Sequence, residues 1–167
     1  NHGDNVSFDQ NRILTDFESN CHYNLHGSSF WGIKARNNYQ LPSVQYSLTG
    51  APNLSCNLWE QPLLQMEKGK TINPSNIITG YQKVQKSSIS PFRQIQSAFD
   101  RDCIETNCMY IVGYSFGDTH INESIKNMLI YCPETQITII DPYFRKNKIV
   151  KKISSVSKLG NTNNTKP

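Results

Sequence analysis

Gly113-Tyr114-Ser115-Phe116-Gly117 fits the pattern G-x-S-x-G. It follows the apolar run Met109–Val112 and precedes a helical pattern, which places Ser115 on a tight strand-to-helix turn. Two chemistries use such a turn. In the first, Ser115 is a nucleophile on an elbow and needs a histidine base oriented by a carboxylate. Asp141, at the end of the next apolar run, has the chemistry of that acid. The histidines are His2, His22, His26 and His120. Only His120 follows Ser115, and it comes before Asp141, whereas the hydrolase order is serine, acid, histidine. In the second, the turn is a nucleotide site. Backbone N–H groups at a helix start and the Ser115 hydroxyl receive a pyrophosphate or ribose, and Asp141 receives a ribose diol. A third reading is structural, with Ser115 closing the turn and Asp141 ending a strand. The histidine order disfavours the hydrolase; the other two stay open on these residues alone.

A second constellation lies upstream. Leu25-His26-Gly27-Ser28 puts a histidine at the end of an expected strand, just before a Gly-Ser turn. A histidine there is often only structural. Together with the turn at 113 and the acid at 141, it suggests a site assembled at a sheet edge.

The elements that must position these residues read as follows. Residues 20–26 and 76–80 are expected strands, the second ending at Gly80. Residues 30–73 are the least regular part and read as an insertion or cap. Within them, Val44, Tyr46 and Leu48 suggest a half-exposed strand, and Leu58–Met66 an apolar stretch with Pro62 near a helix start. Tyr81–Ser90 reads as loop. Ser90 and Pro91 then cap and open a helix carrying Phe92, Ile95, Phe99 and Cys103. Met109–Val112 and Gln136–Asp141 read as buried strands, the second ended by Pro142. Between them, a helix carries Ile121, Ile125, Met128, Leu129 and Cys132, capped by Asp118 and stopped by Pro133. Arg145–Leu159 suggests a last amphipathic helix, and 160–167 a disordered end. The alternation predicts an α/β fold, a Rossmann-like mainly parallel sheet with flanking helices. The expected organisation is a polar lead at 1–19, one domain at 20–150 and a basic tail at 151–167.

Composition narrows the classes. The 167 residues suffice for one domain with a sizeable core. The net charge of +4 is mild, with much of it near the C-terminal end, so nucleic acid is not indicated. The five cysteines are odd in number and none is spaced C-x-x-C, which argues against a disulfide framework and a zinc ribbon. Reduced thiols in the cytoplasm are the simplest account. No apolar run is long enough to span a bilayer. The glycosylation-type sequons, Asn122-Glu-Ser among them, read as chance matches.

Taken together, the motifs resemble the sirtuin-like domain family. The matching pieces are Tyr23-Asn24-Leu25-His26-Gly27-Ser28, then Asn76–Gly80 with Lys83 beyond, Pro91-Phe92, the run Ile111–Asn122, and Ile139-Ile140-Asp141-Pro142. Gly-Tyr-Ser-Phe-Gly-Asp-x-His-Ile-Asn is the most specific, and it looks most like the bacterial anti-phage-defence branch. The resemblance implies an NAD-binding Rossmann-like core with NAD as substrate. It makes His26 the catalytic base at the nicotinamide ribose, with Gly27 and Ser28 beside it. Gly113 and Ser115 become contacts to the adenosine side of NAD, and Asp141 falls where the family contacts the adenosine ribose. Two departures shape the expectation. The zinc cysteine pairs of the deacetylases are absent, so NAD hydrolysis is expected rather than deacetylation, with no metal. The glycine-rich Gly-Ala-Gly-x-Ser loop that grips the phosphates is also absent. These residues are therefore expected to be the C-terminal portion of the domain, active in the intact protein. The alternative is a non-catalytic remnant binding a nucleotide or a protein, and a protein partner or second copy of the chain is compatible with either.

Overall fold

A computed structural model of the chain describes residues 6–38, 41–52, 64–67, 70–72, 74–80 and 82–142. Cys56, residues 58–63, the expected helix at 145–159 and the tail at 160–167 lie outside the described residues. The chain forms two compact units, Asn1–Ala98 and Phe99–Pro167. It is mixed α/β with small sheets.

In the first unit, β1 (Val6–Ser7), β2 (Trp31–Asn38) and β3 (Leu41–Leu48) form an antiparallel sheet in the order β1-β3-β2. Helix α1 (Gln10–Thr15) follows β1, and its start is capped by the Asp9 carboxylate, which accepts from the Arg12 amide at 2.9 Å. Strands β2 and β3 pair along their whole length, from Trp31 opposite Leu48 to Asn38 opposite Leu41. Only residues 39 and 40 separate them, so they are a hairpin. The stretch expected to be irregular is thus the most regular sheet of the unit. Leu64–Met66, expected near a helix, belong instead to β4 (Leu64–Glu67), which pairs antiparallel with β5 (Lys70–Ile72).

Aromatic rings hold this unit together. Trp31 on β2, Tyr46 on β3 and Phe92 are buried, and their ring centroids lie 5.2–6.2 Å apart. Phe8 stands edge-on to Trp31 at 4.8 Å. Ile78 and Ile95 complete the cluster. The Tyr46 hydroxyl donates to the Ser75 carbonyl at 3.1 Å, which removes the cost of burying it, and burial holds its pKa above the ordinary phenol value.

Three further expectations change. Tyr81–Ser90 is not all loop: Lys83–Ser87 form helix α2, which buries none of its residues and so shows no apolar period. The next helix, α3, runs Phe92–Glu105. Ser90 does not cap it, since its Oγ has no hydrogen-bond partner; the Ile89 and Pro91 carbonyls accept from Arg93 and Ile95 instead. Segments 20–26 and 76–80 do not form strands. They meet in one antiparallel bridge, Gly27 opposite Ile77.

The second unit contains a β-α-β run: β6 (Cys108–Val112), α4 (Thr119–Tyr131) and β7 (Gln136–Ile140). The strands pair in parallel, Cys108 opposite Gln136 through Val112 opposite Ile140. Among the described residues this is the parallel pairing; the other strand pairs are antiparallel, and each sheet is small. Nor are the two strands buried on both faces, as their apolar runs suggested. Met109, Ile111, Ile137 and Ile139 face a core made with Cys103, Phe116, Ile125 and Met128. On the alternate positions, Tyr110, Val112 and Ile140 are 69%, 67% and 54% exposed. Period-two alternation, registered across both strands, gives the sheet one dry and one open face. Ser124 on α4 donates to Asp100 Oδ1 on α3, a polar tie within the same unit.

Burial, reinforced by Asp100 and Asp102, pushes the Cys103 thiol up to about 12. Cys21 and Cys108 are exposed free thiols. In site-resolved alkylation at neutral pH, Cys21 and Cys108 are therefore expected to react in the native protein, and Cys103 only once denaturant unfolds it. Equal native labelling of Cys103 would contradict this core.

Candidate functional site

The candidate residues fall into two groups, one in each unit. In the first, the chain must pass His26-Gly27-Ser28 across Asn76-Ile77-Ile78. The Ile78 amide donates to the His26 carbonyl at 2.8 Å, and the Ser28 amide to the Asn76 carbonyl at 3.1 Å. These two bonds flank the Gly27–Ile77 bridge. The ladder stops there because Gly27 leaves the extended region, with φ +82°. Its own amide turns back to the Asn24 carbonyl at 2.9 Å. A Cβ on Gly27 would be driven into the Asn76 carbonyl and would press on the Phe92 ring. Ser28 Oγ accepts from the Phe30 amide at 3.2 Å, and the Ser28 carbonyl accepts from the Trp31 amide at 3.1 Å. Buried Asn76 donates from Nδ2 to the Trp31 carbonyl at 3.1 Å. The backbone that carries His26 is thereby fastened to the start of β2 and so to the aromatic core. His26 itself is half-buried.

In the second unit, the turn leaves the C-terminal end of β6. Gly113, at φ +62°, donates its amide to the Ile140 carbonyl at 3.0 Å. Asp141 is the next residue after Ile140, so the carboxylate-bearing position and the turn share one end of the parallel pair. Nothing lies within 4 Å of where a Gly113 Cβ would stand, so the backbone is open to an approaching group. Ser115 is exposed.

Tyr114 and Asn122, which are not candidates by sequence, build the turn. The Tyr114 hydroxyl accepts from the Asp118 amide at 3.3 Å. Its own proton faces two acceptors, Asn122 Oδ1 at 3.0 Å and the Asp118 carbonyl at 3.1 Å. Asn122, buried, donates from Nδ2 to the Phe116 carbonyl at 3.1 Å. Burial raises the Tyr114 pKa, with the Asp118 backbone bond acting against it, so the phenol remains a neutral donor. Asp118 stands at the N-cap position of α4, but its carboxylate makes no capping hydrogen bond.

The geometry also bears on the nucleophile elbow. Such an elbow strains the serine itself. Here the non-glycine positive φ in the turn belongs to Phe116, at 55°, whose ring is buried against Tyr114 at 4.9 Å. Three residues separate Ser115 from the start of α4 at Thr119. The turn has the shape of a scaffold that presents backbone and a hydroxyl, rather than of a poised nucleophile.

Two glycine substitutions separate these demands. Gly27→Ala meets both a left-handed φ and a backbone collision, and is expected to cost about 2–4 kcal/mol. Gly113→Ala meets the φ alone, and is expected to cost about 1–2 kcal/mol. Urea unfolding followed by far-ultraviolet circular dichroism, which reports helices and strands of both units, measures both; equal costs would contradict the close crossing at Asn76.

No family model, curated protein or solved structure matches this chain.

Proposed function

We propose that this chain is a sirtuin-like NAD-binding domain of Rossmann-like type, and that the intact protein hydrolyses NAD at the nicotinamide–ribose bond. One observation supports the reading above the rest. The Gly113–Asp118 turn and Asp141 lie side by side at the C-terminal end of a parallel strand pair, which is where α/β folds place nucleotide ligands.

The roles follow from the chemistry of each group. Gly113, where no side chain blocks an approach, and the exposed Ser115 hydroxyl suit the adenosine-side ribose. A carboxylate at Asp141 suits a ribose diol, which has two hydroxyl donors to offer. His26 acts as general base, drawing a proton from a hydroxyl of the nicotinamide-side ribose. NAD supplies a labile glycosidic bond with nicotinamide as a neutral leaving group; water takes its place, giving ADP-ribose, nicotinamide and a proton. The Gly27 crossing holds the His26 backbone still while this proton moves. No helix among the described residues is long and apolar enough to cross a membrane.

Nicotinamide release from NAD by the intact protein tests the proposal. His26→Ala is expected to lower the rate at least about 100-fold, the scale of a lost general base, with the thermal midpoint unchanged. Full activity in His26→Ala would refute the mechanism. An esterase activity abolished by Ser115→Ala would favour the hydrolase.

A further inference from the structure

Most of the turn's polar capacity is directed inward. Tyr114 and Asn122 close a ring of hydrogen bonds: Tyr114 hydroxyl to Asn122 Oδ1, Asn122 Nδ2 to the Phe116 carbonyl, and the Asp118 amide back to the Tyr114 hydroxyl. The ring spans the turn from its second residue to the first turn of α4. It holds Phe116 in a left-handed conformation that a phenylalanine does not favour. Phe116 and Asn122 are both buried, so breaking the ring would strand polar groups away from water. Ser115, between Tyr114 and Phe116, is left on the outside.

We infer that Tyr114 and Asn122 are positioning residues, which lock the Gly113–Asp118 turn in the shape that presents Ser115 and the turn's backbone to the ribosyl-phosphate end of a nucleotide. The inference rests on the NAD-binding reading above and adds the device that pre-organises its adenosine side. A turn already held in its bound shape loses little conformational entropy when ligand arrives, so the lock acts on affinity. Tyr114→Phe removes the hydroxyl and keeps the ring against Phe116.

The test is a double-mutant cycle read by calorimetric binding of ADP-ribose, which carries the adenosine end and cannot be turned over at the nicotinamide bond. The proteins are the intact wild type, Tyr114→Phe, Ser115→Ala and the double variant, each checked for folding by its thermal melt. Each single variant is expected to weaken binding about tenfold. The double variant is expected to be no more than about thirtyfold weaker than wild type, because Ser115 is worth less on an unlocked turn. A side chain that merely stabilised the fold would give independent effects, about a hundredfold together. That result would overturn the inference, as would unchanged affinity in Tyr114→Phe. If Tyr114→Phe fails to fold, Asn122→Ser takes its place in the cycle with the same expectations. If the intact wild-type protein does not bind ADP-ribose, the NAD-binding reading falls and the inference with it. That outcome is distinct from a wild type that binds and a cycle that is additive.

Discussion

The hydrogen bond from the Gly113 amide to the Ile140 carbonyl, at 3.0 Å, is the contact on which the proposed nucleotide turn depends. It continues the β6–β7 ladder one residue beyond the last registered pair, Val112 opposite Ile140. Past that rung the two chains diverge, one into the Tyr114–Asp118 turn and the other into Asp141. Parallel pairing sets both at the same end. An antiparallel arrangement would have sent the residue after Ile140 to the opposite end of the sheet. Everything proposed for the adenosine side therefore rests on parallel pairing and on a glycine that turns at positive φ.

What fastens the turn is packing as much as hydrogen bonding. Phe116 enters the core with Ile111, Ile125 and Met128, and its carbonyl is satisfied by Asn122 from within α4. The apolar core and the polar ring therefore hold the same residue from two sides. In the first unit the corresponding constraint is the Gly27 crossing. There, too, a backbone contact with Asn76 fixes a functional candidate to a buried aromatic, Trp31.

The second unit is largely legible in the sequence. Apolar runs at 109–112 and 136–141, a 3.6-residue stripe between them and Pro133 after it mark β6, α4 and β7 to within a residue at each end, because each pattern follows directly from side-chain geometry. The open face is not legible, because a run such as Ile137-Thr138-Ile139-Ile140 reads alike in a half-exposed and a fully buried strand. The hairpin of β2 and β3 is obscured because the polar run Arg36-Asn37-Asn38 breaks the apolar pattern. His26-Gly27-Ser28 and Asn76-Ile77-Ile78 stand out as motifs, but their crossing at a single bridge depends on a contact between segments some fifty residues apart, which no local pattern encodes. Tyr114 and Asn122 are hidden for a related reason. Their eight-residue separation becomes a contact only once the left-handed Phe116 folds the chain back.

The most direct measurement of the central claim is amide hydrogen exchange of the chain with and without saturating ADP-ribose. Exchange is expected to slow about tenfold or more at Gly113–Asp118 and at Asp141, while α1 and the outer strand β1 change little. Binding that leaves the turn's exchange unaltered, with protection elsewhere, would contradict the claim.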